Sequence, residues 1–189
     1  MSRIRTYFEE LAELQGRVYT QSTYELLQQA ARQIAGSFKS GGRLFVCGNG
    51  GSMADAIHFA EELSGRFRDD RPPYPAISIS DVGHISCVAN DYGYDQVFRR
   101  YLKAHAKEGD VLVAISTSGN SQNVLLAAEW AQVNDVYVIA LTGKDGGKLA
   151  AACDLELRVP HDGYADHIQE LHIQFIHAII LEIEALMGT

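Results

Sequence analysis

The chain has 189 residues, 47% of them hydrophobic and 21% charged, with a formal net charge of −8. That length suits one domain able to bury a substantial core, and the composition is that of an ordinary globular protein. The acidic balance excludes a general nucleic-acid or anionic-membrane surface, and no uninterrupted apolar stretch is long enough to span a bilayer; an anionic small ligand held in a local cradle stays admissible.

Residues 2–14 and 22–39 read as two helices. Ser22 and Glu25 form an S-x-x-E capping box, and Tyr24, Leu26, Leu27, Ala30, Ala31 and Ile34 follow at helical spacing. Gly41-Gly42 stops the second helix, and Arg43 to Cys47 is a short buried strand. Gly48-Asn49-Gly50-Gly51-Ser52 follows it and opens a helix through about Phe67. Pro72, Pro73 and Pro75 form a connector, Ala76 to Ser80 a second strand, and residues 82–90 and 94–107 two helices. Asp110 to Ile115 is the third strand, Gln122 to Gln132 a helix, Val136 to Leu141 the fourth strand, and Gly143 to Gly147 a turn. Leu149 to Ala152 is a short helix, Asp154 to Val159 the fifth strand, and about Tyr164 to Leu186 a long apolar helix.

This alternation predicts an α/β protein, a three-layer αβα sandwich on a five-stranded parallel sheet. Residues 1–189 are expected to form a single domain, with a helical appendage over about residues 1–40 that packs on the sheet or on another subunit. The stretch from Met1 to Leu14 carries Arg3, Arg5, Glu9, Glu10 and Glu13 and has no apolar core of a secretory signal. Cys47, Cys87 and Cys153 are odd in number and far apart, which reads as buried free thiols in a reducing compartment. Both features predict a cytoplasmic location.

Ligands in parallel sheets bind beyond the carboxyl ends of the strands. There the run Ile115-Ser116-Thr117-Ser118-Gly119-Asn120-Ser121 joins a buried strand to a helix. The free N–H groups and partial positive charge of a helix start favour an anion, and hydroxyls add donors without charge. The run therefore predicts a phosphate cradle without a lysine; a Ser-rich helix cap is the plainer alternative. The loop Gly48 to Ser52 lacks the last glycine of a dinucleotide fingerprint, since position 53 is Met53, and suits a turn whose backbone approaches a ligand.

His58 and Glu62 lie four apart on one helical face, a spacing that fits either a shared metal or an ordinary surface pair; Glu61 is rotated off that face and reads as solvated. On the last helix, Gln169 and His177 share a broad face with Cα atoms about 12 Å apart, so one metal reaches both only if both side chains extend, or if a neighbouring subunit supplies one. Asn90-Asp91 reads as a turn, Arg66 as a phosphate contact, a partner of Glu62 or a helix cap, and Gly143 to Gly147 as a plain turn.

Together these residues resemble the sugar isomerase (SIS) domain family and, within it, the phosphoheptose isomerases. The resemblance covers about residues 3–186 and rests on CGNGGS (47–52), HFAEEL and GRFR (58–68), RPPYPAISISDVGHISCVANDYG (71–93), GDVLVAISTSGNS (109–121), LTGKDGG (141–147) and RVPHDGYADHIQELH (158–172). It implies that Ser116, Thr117, Ser118 and Ser121 hold a substrate phosphate, while Asn49, Gly50, Gly51, Ser52, Asn90, Asp91, Glu62 and Gln169 line the sugar. It implies one zinc per subunit on His58, Glu62, Gln169 and His177, with Glu62 and His177 also the catalytic acid–base pair. It further implies a homotetramer with sites at subunit contacts. The implied reaction is ketose–aldose isomerisation of sedoheptulose 7-phosphate to D-glycero-D-manno-heptose 7-phosphate, feeding ADP-heptose and lipopolysaccharide core synthesis. Two positions depart from the family's pattern: His167 stands where arginine is expected, and Ala89 where glycine is common.

An enediol route needs one carboxylate and one imidazole with pKa values near working pH. Glu62 is assigned as base and His177 as acid, the reverse order remaining open. Zinc on the same residues would compete with that role or polarise the oxygens as a Lewis acid. Two rival readings stand beside this one. One is a non-enzymatic SIS protein that binds a phosphosugar or a partner, like the replication-initiator-associating protein of enteric bacteria, whose loop is closer to GNGTS and which lacks the Glu62 and His177 counterparts. The other is an isomerase of a different phosphosugar.

Overall fold

The computed structural model describes residues 2–188. Five strands, β1 (Leu44–Gly48), β2 (Ala76–Ser78), β3 (Val111–Ser116), β4 (Tyr137–Gly143) and β5 (Leu155–Val159), form one parallel sheet in the order β2-β1-β3-β4-β5. Seven α-helices accompany them: α1 (Arg3–Val18), α2 (Gln21–Lys39), α3 (Gly51–Ser64), α4 (Val82–Tyr92), α5 (Val97–His105), α6 (Gln122–Gln132) and α7 (Ala165–Met187). The expected three-layer α/β sandwich is what forms.

The inner strands are apolar throughout because both faces are covered. Alternate residues serve different layers: Leu44 and Val46 of β1 and Val111, Val113 and Ile115 of β3 join a core with α1, α2, α3 and α7. Phe45, Cys47, Leu112 and Ala114 join a second core with α5 and α6. The first two helices belong to the first of these layers. Leu14, Val18, Ile34 and Phe38 are buried in it, and Tyr19 donates through its hydroxyl to Gln174 at 2.7 Å.

The chain leaves β1 toward β2 on one side, whereas β3 adds on the other. The crevice at that switch is where an open parallel sheet receives a ligand. It is flanked by the turns after β1 and β3, the glycine loop and the hydroxyl loop.

Several local expectations need correction. The cap of α2 is Thr20, whose hydroxyl accepts from the Thr23 N–H at 3.3 Å, so Ser22 lies inside the helix and there is no Ser22–Glu25 box. The helix after the glycine loop ends at Ser64 instead of Phe67, because Arg71 takes its terminal carbonyls. The helix expected over 94–107 divides into a 3-10 turn, Tyr94–Gln96, and α5. Asn90 and Asp91 sit in the last turn of α4 and not in a loop. Cys47 is buried as expected, but Cys87 is exposed and Cys153 half-buried; all three are free. Among the described residues, no helix is long and apolar enough to cross a membrane.

Candidate functional site

The hydroxyl loop is a tight turn in which the Gly119 N–H donates to the Ser116 carbonyl at 2.9 Å. Ser116 is buried and its hydroxyl donates to that of Ser121 at 3.0 Å. Ser121 occupies the cap position of α6, yet its hydroxyl makes no capping bond. The plain helix-cap reading therefore fails for this serine. Ser118 accepts from the Asn120 N–H at 3.2 Å, and Asn120 donates to the Ser118 carbonyl at 2.8 Å, which closes the loop on itself.

The turn after β4 braces this loop and is more than a connector. Gly119 has φ +63, and a Cβ there would lie 1.9 Å from the Gly146 carbonyl oxygen, so only glycine fits. The Leu149 N–H donates to the Gly119 carbonyl at 2.9 Å and the Lys148 N–H to Asn120 Oδ1 at 3.3 Å.

The glycine loop lies beside it. Asn49 and Asn123 exchange side-chain hydrogen bonds at 2.8 and 2.9 Å, and Tyr94 donates to Asn49 at 3.0 Å. Asn123, nearly fully buried in the first turn of α6, thus joins the two loops. Sequence reading passed over it; the signal was a lone asparagine opening the apolar run Val124 to Ala128. Ser52 is buried in the first turn of α3. Gln169 of α7 reaches this end of the site: a Cβ on Gly51 would lie 2.5 Å from its Nε2. Asn90 and Asp91 are exposed and bonded to each other at 2.7 Å, with the Cys87 thiol 3.7 Å from Asp91. Arg66 is exposed just beyond α3.

Farther along α3 and α7, a second cluster forms. His58 Nε2 lies 2.9 Å from His177 Nε2 and 3.6 Å from Glu62 Oε1, and the ligand atoms of all three lie within 4.8 Å of one another. Each is half-buried. Glu61, exposed as expected, sits 3.4 Å from His58 Nδ1 and so holds the other edge of that ring. Burial, with His58 and Arg68 nearby, holds the His177 imidazolium below its usual range against the opposing pull of Glu62. One turn before His58, burial pushes the Asp55 carboxyl up to about 6, and its Oδ2 is buried without a partner.

Two imidazole nitrogens and a carboxylate are a donor set that suits a divalent metal such as zinc. Tetrahedral zinc separates two bound nitrogens by about 3.3 Å, so the observed spacings need only small adjustment. The same lowering favours the neutral imidazole, the form a metal accepts. Gln169 lies two turns before His177, with its amide against Gly51, so it spans the interval between the cluster and the glycine loop.

His167 stands apart from both centres. Its ring packs on Tyr7 at 4.4 Å, with its nitrogens 2.9 Å from Glu170 and 3.8 Å from Glu10. It borders a cleft of about 400 Å³ between α1 and the start of α7, whose lining includes none of the predicted site residues.

The SIS-domain family model matches residues 6–143. A phosphoheptose isomerase of Yersinia pestis is 56% identical over 185 residues, covering 97% of this chain and 96% of its own. One from an Enterobacter species has the same identity and coverage. Among solved structures, phosphoheptose isomerase GmhA from Neisseria gonorrhoeae superposes with a TM-score of 0.90 at 40% identity, covering 97% of each chain. A phosphoheptose isomerase from Francisella tularensis gives 0.91 at 37% identity, covering 98% of this chain and 100% of its own.

Proposed function

The chain belongs to the phosphoheptose isomerases of the SIS-domain family, and from that premise we propose how its residues divide the work of turning sedoheptulose 7-phosphate into D-glycero-D-manno-heptose 7-phosphate. The convergence of His58, Glu62 and His177 from two helices is the observation that carries the assignment, because spacing alone gave only the first pair.

Ser116, Thr117, Ser118 and Ser121, with the first N–H groups of α6, bind the phosphate. Asn49, Gly50, Gly51, Ser52, Asn90, Asp91 and Gln169 orient the carbon chain. Each hydrogen bond to a charged phosphate contributes about 1.5–3 kcal/mol. Anchored in this way, the substrate presents its ketose end to Glu62 and His177, and that placement supplies most of the effective concentration the step needs.

Glu62 takes a proton from C1, beside the C2 carbonyl, and His177 donates one to the C2 oxygen, giving the enediol. Glu62 then returns a proton to C2 as His177 accepts the proton from the C1 oxygen, which leaves the C1 aldehyde. His58, Glu62, Gln169 and His177 would hold one zinc per subunit; bound there it would supply Lewis-acid polarisation in place of proton transfer by the ligating side chains.

The site is completed between subunits of a homotetramer. His58 follows Gly51 by seven residues, about 10 Å along α3, so within one protomer the cluster is well removed from the glycine loop. Ile4 and Phe8 on α1 and Ile57 beside His58 are exposed apolar side chains suited to such contacts. The whole chain acts as one domain of a cytoplasmic enzyme supplying ADP-heptose for lipopolysaccharide core.

Incubating the purified protein with sedoheptulose 7-phosphate and following the aldose by chromatography tests this reading. Conversion is expected. Saturable phosphosugar binding without conversion would favour the non-enzymatic SIS protein, and conversion of a different ketose phosphate alone would reassign the substrate.

A further inference from the structure

Arg71 follows α3 by seven residues, on the proline-rich connector, and its side chain is only 2% exposed. A helix leaves its last four carbonyls without partners. In α3 the Glu61 carbonyl accepts from the Gly65 N–H at 2.7 Å. Arg71 donates to the next two: Nη2 to the Glu62 carbonyl at 2.7 Å and Nη1 to the Leu63 carbonyl at 2.9 Å, which also accepts from the Tyr74 N–H at 3.0 Å. The third nitrogen, Nε, donates to Glu184 Oε1 of α7 at 2.6 Å. The guanidinium also lies 4.5 Å over the Tyr74 ring, which stacks on Phe38 of α2.

The placement of these contacts matters more than their number. One end of the fork grips the backbone of Glu62 itself. The other grips Glu184, seven residues after His177 and so on the same face of α7. A single rigid group therefore joins the turn that carries Glu62 to the face that carries His177. A buried ion pair is weak as a source of stability, since apolar replacements often do as well. It is strong as a geometric constraint, because the guanidinium is planar and its donors diverge at fixed angles.

We propose that Arg71 is a positioning residue for the His58–Glu62–His177 cluster, fixing the spacing of α3 and α7 through the Glu62 carbonyl and Glu184. The proposal rests on the reading of that cluster as the metal-binding and acid–base centre. Lysine keeps the charge but cannot reach both carbonyls and Glu184 together, and Glu184→Gln keeps the carbonyl bonds while removing the charge that orients the fork.

The test uses the full-length protein as Arg71→Lys, Arg71→Met and Glu184→Gln. Three quantities are read: kcat and KM with sedoheptulose 7-phosphate, thermal midpoint, and binding of cobalt(II) alone to metal-stripped protein by its visible absorption. Arg71→Lys is expected to lower kcat and cobalt affinity each by about 10- to 100-fold, with KM within about threefold. Glu184→Gln is expected to shift the same two quantities in the same direction by less. A role in stability alone would lower the thermal midpoint and leave kcat, cobalt affinity and cobalt spectrum at parental values in the folded variants, and that result would overturn the proposal. Should Arg71→Met fail to fold, Arg71→Lys and Glu184→Gln still decide it. An inactive parent would instead count against the isomerase reading, while the cobalt arm would continue to report on the clamp.

Discussion

The carboxyl edge of the sheet presents hydroxyls and backbone N–H groups on a turn of six residues. Some two or three helical turns away along α3 and α7 lie two imidazoles and a carboxylate, His58 and His177 within their helices and Glu62 in the last turn of α3. The first region is uncharged, closed on itself by Asn120 and braced by the turn at Gly146 and Gly147. The second consists of titratable groups, of which His177 is held below its usual range by burial, His58 and Arg68 against the opposing pull of Glu62. On the proposed function the contrast divides the labour: the loop would hold an anion without moving protons, and the cluster would move protons or bind a cation. Substitutions in the two regions should therefore separate KM from kcat.

The largest expected effect lies in the cluster. Glu62→Gln and His177→Gln should each lower kcat by about 100-fold or more and change KM by little, measured by steady-state kinetics with sedoheptulose 7-phosphate. Near-normal turnover in both would dissolve the division. Next comes Gly119→Ala. Its methyl group would meet the Gly146 carbonyl at 1.9 Å in a backbone conformation with φ +63, so loop and brace must part. Urea denaturation should show a loss of about 2 kcal/mol, and KM should rise while the turnover of bound substrate holds. Ser121→Ala removes one uncharged donor and leaves the turn intact; KM should rise about tenfold with kcat nearly unchanged.

The last expected effect bears on stability and not on turnover, and concerns His172, buried on α7 between the two regions. Its Nε2–H donates to the Thr142 carbonyl at the end of β4, its Nδ1 has no partner, and burial pushes its pKa down to about 4. The folded protein thus holds it neutral, whereas the unfolded chain takes up a proton near pH 6.5. Its contribution is fully present above about pH 6.5 and is lost as pH falls toward 4, by about 3 kcal/mol in total. Urea midpoints measured between pH 7 and 4.5 should fall with pH, and less steeply in His172→Phe than in the parent.

What the sequence disclosed follows the same division. Strands and loops whose determinants are contiguous are legible: the apolar run ending at Ile115, the glycine loop, the bounds of α6. The Ser22–Glu25 box satisfies the local rule, but Thr20 caps the helix two residues earlier, since both hydroxyls offer similar energies and packing chooses between them. The joining of His58 and Glu62 to His177 depends on a crossing of helices more than 100 residues apart in sequence, which periodicity does not encode. Without the family resemblance, a histidine such as His177 inside the apolar stretch Phe175 to Leu186 reads more readily as a core residue than as a ligand. Asn123, Asp55 and Arg71 acquire their significance only from what lies across the packed layers.

Solvent-isotope incorporation during turnover tests the central claim most directly. Metal-loaded protein would be incubated with sedoheptulose 7-phosphate in heavy water, and the aldose analysed by mass spectrometry and NMR. The enediol route predicts a solvent deuteron at C2 of the product, with both conversion and exchange lost in Glu62→Gln. Substrate recovered unconverted and without deuterium from the parent protein, or unimpaired exchange in Glu62→Gln, would contradict it.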